Sequence, residues 1–325
     1  MESRILVDVK GLRKEFISKA KPFSGHPAYS VRAVDDVSFQ IFKGETLALV
    51  GESGCGKSTL GRLVMRLIEP TEGAIVFDGQ PLLDLDAKSF NKIRRRFQLI
   101  FQDPAAAFNP RMTVGRIVEE PMLLAGLDSA ERKRRVHELL SLVGMDVKHA
   151  DRYPMEFSGG QRQRVGIARA LSVRPEMIIC DEPVSALDVS IQAQVINLLR
   201  SLQRQFQLTY LFISHDLRVV RHIADRVAVM YLGRIVEIGS KEAIYNEPLH
   251  PYTKALISAV PVPKPGQVAI DPALVGEIPT AQNMPSGCRF HTRCPVAMAA
   301  CKEKDPAPVV TADGRQVACH LLASC

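Results

Sequence analysis

The sequence predicts an α/β protein, a largely parallel sheet covered by helices, followed by a small end of different texture. Three observations carry that prediction. The runs "MIIC" (177–180), "YLFI" (210–213) and "VAVMYLG" (227–233) read as buried strands with helical stretches between them, and strands that alternate with helices pack as a parallel sheet covered on its faces. The run "LALV" (47–50) enters the glycine-rich stretch "GESGCGKST" at 51–59 and then a helical pattern. From about residue 261, Pro261, Pro263, Pro265, Pro272, Pro279 and Pro285 break any long element, which marks a linker ahead of a cysteine-bearing end.

The elements follow in order. Residues 1–50 read as strands and turns, with "VDDVSFQIF" alternating and "KGE" as a turn. After the glycine loop, Leu60, Leu63, Val64 and Leu67 share one helical face, and Pro70 is the expected stop. "FQLIFQDP" reads as a strand running into a loop. Residues 128–145 read as a helix capped by Asp128 or Ser129, with Val136, Leu139, Leu140 and Val143 as its apolar stripe. The basic run Arg132, Lys133, Arg134 and Arg135 has no interleaved aromatics, so a solvated helix face is expected there rather than a nucleic-acid surface. The longest helical pattern, 189–206, sets Ile191, Val195, Leu198, Leu199 and Leu202 on one side.

With 325 residues and 46% hydrophobic residues the chain can bury a large core. Its net charge of +7 fits nucleotide, nucleic acid or an anionic membrane face and decides among none of them. No apolar run approaches the ~18–20 residues that span a bilayer, and the start "MESRILVDVKGL" lacks a signal-peptide core. The expectation is a cytoplasmic protein that meets a membrane through a partner.

Gly51 to Ser58 match G-x-x-x-x-G-K-[ST] between a strand and a helix, the context in which that pattern grips phosphate. Glycines let several backbone N–H groups point into one hollow, and the following helix adds its positive end. Lys57 supplies a full charge for the β- and γ-phosphates, Ser58 suits Mg²⁺, and Thr59 can reach the α-phosphate. Downstream, "MIICDEP" puts two carboxylates after a buried strand. Asp181 would reach Mg²⁺ and Glu182 would polarise an attacking water.

These motifs resemble the ATP-binding subunits of ABC transporters over almost the whole chain. "FSGGQRQRV" (157–165) is similar to the signature of that family, "FQDP" carries its Q-loop glutamine Gln102, "SALD" its D-loop Asp188, and "ISHD" its switch histidine His215. The resemblance implies a P-loop NTPase fold with a mixed sheet core, an antiparallel β subdomain, a helical signature subdomain at about 103–165, an ATP-binding domain over 1–245 and an extension over 246–325. It further implies that ATP contacts Gly51, Ser53, Gly54, Cys55, Gly56, Lys57, Ser58 and Thr59 of one chain and Ser158, Gly159, Gly160 and Gln161 of the other. Mg²⁺ is implied at Ser58, Gln102 and Asp181, and catalysis at Glu182, His215 and Gln102. The signature begins with Phe157 where leucine is usual. Phe16 is the expected adenine-stacking ring, with Tyr29 as alternative because the stretch "ISKAKPFSGHPAYS" intervenes.

"HPYTKALISAVP" (250–261) and "GCRFHTRCPVAMAACKEKDPAP" (287–308) resemble the C-terminal extension of the dipeptide and oligopeptide importer ATPases. That points to peptide import, with relatives for nickel, glutathione and sugars. Implied partners are a paralogous ATPase, two membrane permeases and, indirectly, a solute-binding protein, at the cytoplasmic face of the membrane. A soluble ABC ATPase acting on nucleic acid or ribosomes usually has two ATPase halves or a long coiled-coil insert, and this chain has one set of motifs.

Cys288, Cys294, Cys301 and Cys319 are separated by five, six and seventeen intervening residues, and four thiolates can bind zinc or an iron–sulfur cluster. The spacing lacks C-x₂-C, and the importer resemblance implies a [4Fe–4S] cluster, with zinc or free thiols as alternatives. Cys325 is expected to be free, and Cys55 to make ATP binding sensitive to thiol reagents.

Overall fold

The computed structural model describes residues 4–18, 29–259, 279 and 284–322. Pro261, Pro263, Pro265, Pro272, Cys325 and the side chain of Tyr29 lie outside that part. In chain order, strands β1 (Ile5–Ser18) and β2 (Tyr29–Phe42) lead through the turn at Lys43 and Gly44 to β3 (Thr46–Val50), whose five residues are all buried. Helix α1 (Lys57–Val64) follows, then β4 (Glu72–Phe77), β5 (Gln80–Pro81), α2 (Ala87–Arg94) and β6 (Phe97–Ile100). Helices α3 (Pro104–Ala107), α4 (Val114–Leu124), α5 (Ser129–Leu142) and α6 (Gly159–Leu171) precede the alternation β7 (Met177–Asp181), α7 (Val189–Phe206), β8 (Thr209–Ser214), α8 (Leu217–Ile223), β9 (Arg226–Tyr231). The chain closes with β10 (Arg234–Ser240), α9 (Lys241–Asn246), α10 (Pro251–Ser258), α11 (Ala299–Glu303), β11 (Val309–Val310) and β12 (Gln316–Val317).

The chain divides into two compact units interleaved in sequence. The helical unit takes Ile41–Thr46 and Asp84–Ser214. The glycine-loop unit takes Ile5–Gln40, Leu47–Leu83 and the described residues from His215 onward.

In the helical unit, β6, β7 and β8 run parallel, with Ile179 beside both Leu99 and Leu211. β7 and β8 are buried along their whole length, as a parallel strand covered on both faces must be. Asp128 starts α5 by accepting the backbone N–H groups of Ala130 and Glu131 at 2.9 and 3.0 Å, and Val136, Leu139, Leu140 and Val143 are its buried stripe. The basic run departs from the solvated face expected of it. Arg132 and Arg134 pair with Glu119 and Glu138 at 3.6 Å, but Arg135 is buried. Burial lowers its pKa, and the nearby Arg174 adds to that.

In the glycine-loop unit, one sheet has the order β2-β1-β4-β5, antiparallel at β1–β4 and β4–β5. β3 lies parallel to β9, whereas β9, β10, β12 and β11 are joined antiparallel. The sheet core is thus mixed, since the chain returns on itself after β9. Helix α1 stops at Val64, short of the expected Pro70. Arg66 takes a left-handed φ of 49°. Leu67 N–H then bonds Arg62 C=O at 2.9 Å and Arg66 N–H bonds Leu63 C=O at 2.8 Å, which caps the helix end and leaves Leu67 39% exposed. Among the described residues no helix is long and apolar enough to cross a membrane.

Candidate active site

The glycine loop leaves β3 at Gly51. There φ is 155°, and a Cβ would lie 2.1 Å from Met230 O; at Gly56 φ is 107° and a Cβ would lie 2.1 Å from Ala33 O. Both positions therefore exclude every side chain. Gly56 is also the N-cap of α1 and offers no side-chain oxygen, so the first N–H groups of that helix have no side chain of the cap competing for them. Lys57 is 5% exposed. Its Nζ is folded back over the loop, donating to Gly51 O at 2.8 Å and Glu52 O at 2.9 Å. Ser53 and Gly54 are exposed, and Ser58 and Thr59 half-buried. Cys55 departs from expectation. It is 4% exposed, and burial raises its thiol pKa more than Lys57 beside it lowers it. A buried protonated thiol is a poor nucleophile.

The same unit carries His215, exposed and just ahead of Asp216, which caps α8. It also carries Phe16, 44% exposed, with Lys14 Nζ 5.2 Å from its ring centroid.

The helical unit holds the carboxylates. Asp181 ends β7 and is 9% exposed. Glu182 turns the chain out of the strand with a φ of 47°, a conformation costly for a residue with a Cβ. Its N–H bonds Ile213 C=O at 3.0 Å, and its C=O accepts the Ser185 hydroxyl at 3.1 Å. Gln102 Nε2 donates to Glu182 Oε2 at 3.1 Å. Asp188 occupies the cap position of α7, exposed and making no capping bond with its side chain.

Ser158 is the N-cap of α6. Its Oγ accepts Gln161 N–H at 3.4 Å, while Gln161 Oε1 accepts Ser158 N–H at 3.0 Å. This capping box leaves Ser158 and Gly159 exposed at the positive end of a 13-residue helix. Gly160 faces inward, where a Cβ would lie 2.5 Å from Ile191 Cγ2. Phe157 is buried, its ring edge-on to His149 with centroids 5.2 Å apart. An apolar residue is thus what the position requires.

Sequence reasoning missed the residues that surround the loop. Glu52, inside the glycine stretch, forms a bidentate pair with Arg293 at 2.8 and 2.9 Å. Its backbone N–H donates to Tyr252 Oη at 3.0 Å. Near them Asp35 pairs with Arg289 and Arg234. Burial opposes its charge, yet these guanidiniums hold its carboxyl below the usual carboxylate range. The sequence motifs give His250 no role of its own. It is buried, its Nδ1 accepts Tyr252 N–H at 3.0 Å as the cap of α10, and burial alone pushes its pKa down to about 4.

The cysteine end fits a thiolate-bound group in kind only. Cys288, Cys294, Cys301 and Cys319 are all free thiols, and burial raises the pKa of Cys288, Cys294 and Cys319, that of Cys288 to about 11. Among the described residues, however, no three His, Cys, Asp or Glu side chains gather as ligands for a metal ion. At Cys301 the Sγ accepts the Met298 N–H at 3.5 Å, at the start of its own helix α11. The arrangement expected for a cluster or zinc is not what these side chains adopt.

The ABC transporter family profile matches residues 34–185, and that of the oligopeptide/dipeptide transporter C-terminal region matches 236–301. The chain is 54% identical over 322 residues, 98% of both chains, to the oligopeptide transport ATP-binding protein AppF of Bacillus subtilis. It is 51% identical, over 99% of this chain and 91% of the relative, to the probable peptide ABC transporter ATP-binding protein y4tS of Sinorhizobium fredii. Among solved structures, the ATP-binding cassette MJ0796, dimeric and bound to ADP and Pi, aligns with a TM-score of 0.64 and 30% identity over 73% of this chain and 99% of that one. On these likenesses the chain belongs to the ATP-binding proteins of the ABC transporters and is an ATPase of that family.

Proposed function

We propose that this chain is the ATP-hydrolysing subunit of a peptide importer, working at the cytoplasmic face of the membrane beneath two permease subunits. The carrying observation is the C-terminal region. Residues 236–301 match the oligopeptide/dipeptide transporter type, and relatives alike over nearly the whole chain are named for oligopeptide or peptide transport.

In the proposed cycle, the backbone of Gly51–Thr59 and the positive end of α1 take the phosphates of ATP, Lys57 turning from the loop carbonyls to the β- and γ-phosphates. Phe16 presents its ring face to adenine. Ser58, Gln102 and Asp181 are oxygen donors of the hard kind that Mg²⁺ takes, and Mg²⁺ bound with ATP supplies charge neutralisation on the β- and γ-phosphates. Glu182 orients and deprotonates the attacking water, held in place by the Gln102 amide, and His215 contacts the γ-phosphate. The exposed cap Ser158, with Gly159, Gly160, Gln161 and the D-loop Asp188, serves the ATP held by a second ATPase subunit, a paralogue. Two nucleotides then close two chains head to tail, closure moves the permeases, and hydrolysis reopens the pair.

The cysteine end of the 246–325 extension is proposed to take an iron–sulfur cluster before zinc. What supports it is the sequence alone, four cysteines in a Pro-rich end, since among the described residues their side chains do not gather as metal ligands. Iron, acid-labile sulfide and zinc analysis of anaerobically purified protein tests it, and absence of all three removes it.

The functional test is uptake into vesicles bearing the assembled transporter. Labelled di- and oligopeptides are expected to enter only with ATP and intact Glu182. Uptake of nickel, glutathione or a sugar in place of peptide would move the chain to another branch of the same family.

A further inference from the structure

The glycine loop is held from the far end of the chain. Glu52 lies one residue after Gly51. Arg293, 241 positions later, grips its carboxylate with both terminal nitrogens at 2.8 and 2.9 Å. The side chains are 4% and 18% exposed, so the pair works in a medium where a forked guanidinium–carboxylate bond is strong and directional. A second hold comes from Tyr252, whose hydroxyl accepts the backbone N–H of Glu52 at 3.0 Å. That leaves this N–H turned toward Tyr252.

Both holds are rigid. Tyr231, Tyr252 and Phe290 are each no more than 1% exposed, with ring centroids 4.6 to 5.3 Å apart. Arg293 lies over the Tyr231 ring at 5.9 Å and reaches its hydroxyl at 3.5 Å. Arg289 makes a separate set of bonds, to Asp35 and to Leu232 O, and none to Glu52. The hydrogen bonds that Arg293 donates to Glu52 hold its pKa above the ordinary value. A surface pair of no consequence would be neither buried, forked nor backed by aromatic rings.

We propose that Arg293 and Tyr252 are positioning residues for the phosphate loop, through which the C-terminal region fixes Glu52 and so the loop shape that ATP meets. This rests on the reading of Gly51–Thr59 as the phosphate site. Displacement of such a loop by about an ångström is worth up to roughly a hundred-fold in a step that depends on its geometry.

The test uses the full chain in its assembled transporter and compares Arg293→Met, Arg293→Lys, Tyr252→Phe and Arg289→Met. Arg289→Met removes a neighbouring ion pair, that with Asp35, without touching Glu52 or Arg293, and reports on stability alone. The expected result is a KM for ATP raised roughly tenfold or more in Arg293→Met, partly restored in Arg293→Lys and raised less in Tyr252→Phe. Maximal turnover at saturating ATP stays within about twofold, and Arg289→Met keeps the wild-type KM. If Arg293→Met assembles with an unchanged KM, or if Arg289→Met shifts KM equally, the inference is overturned. Should Arg293→Met not fold, Tyr252→Phe decides alone, since it removes one oxygen and keeps the ring, and an unchanged KM there overturns the inference. Lys57→Ala separates the two levels. Undiminished ATP binding in that variant overturns the loop reading itself, and the inference with it.

Discussion

Gln102 and Glu182 meet across 3.1 Å, amide to carboxylate, although they lie 80 positions apart in sequence. The carboxylate is thereby aimed before any nucleotide arrives. Glu182→Gln keeps the shape and removes the base. Steady phosphate release by the assembled transporter is expected to fall roughly 10²- to 10⁴-fold while ATP still binds. Release near the wild-type rate would remove Glu182 from the proposed role.

Gly51 has no room for a methyl group, with Met230 O 2.1 Å and Cys55 Sγ 2.9 Å from the place of a Cβ. The Gly51→Ala variant is expected to lose more than about 1 kcal/mol of stability and to bind ATP roughly a hundred-fold more weakly. Equilibrium binding of a fluorescent ATP analogue, beside a thermal melt, reads both. Gly54 has nothing within 4 Å of a built Cβ, but its φ of 78° makes Gly54→Ala a milder variant of the same kind.

His250 makes stability depend on acid. Its pKa is about 4 in the folded chain against an ordinary 6.5, so the unfolded chain binds the extra proton first. Stability is full above about pH 6.5 and declines as pH falls toward 4, by about 3 kcal/mol for this group. His250→Asn, which can still cap α10, is expected to flatten that part of the profile in chemical denaturation measured at pH 7, 6, 5 and 4. An unchanged slope would mean that another group carries it.

Cys55 sits inside the phosphate loop but is closed to reagents. Brief treatment of the native protein with iodoacetamide at pH 7.5, followed by peptide mass spectrometry, is expected to leave Cys55 and the fully buried Cys180 unmodified and ATP binding intact. Alkylation of Cys55 at the rate of an unfolded control would show that the loop opens readily.

Ser158 stands exposed at the start of α6. Ser158→Arg is expected to leave ATP binding by its own chain within about threefold and to cut hydrolysis by the assembled pair roughly a hundred-fold. ATP binding lost in proportion to hydrolysis would instead place the signature and the loop on the same nucleotide.

Local signals made much of this legible. The Asp128 cap and the Val136, Leu139, Leu140 stripe place α5 to within a few residues, because cap and periodicity are written in neighbouring positions. The glycine loop is legible for the same reason, since Gly51, Gly56 and Lys57 do their work within seven residues. Three features were not. Helix α4 runs through Pro121, a residue that argues against a helix interior. α1 ends early through a left-handed arginine, Arg66, which no residue type announces. The pairing of Glu52 with Arg293 joins positions 241 apart, and only the packing of Tyr231, Tyr252 and Phe290 decides that they meet. At the cysteine end, the importer resemblance implied four converging ligands, whereas among the described residues no such group of side chains gathers.

The interleaving of the two units has a consequence for how the chain is born. Synthesis delivers Ile41–Ser214, and with them every strand and helix of the helical unit, before Tyr252, Arg289 and Arg293 exist. The glycine-loop segment must wait, its sheet partner β9 and its anchoring arginine still inside the ribosome, for up to roughly a minute at ordinary elongation speeds. In a nascent chain stalled before α10, the glycine loop should be protease-sensitive while the helical unit is already resistant.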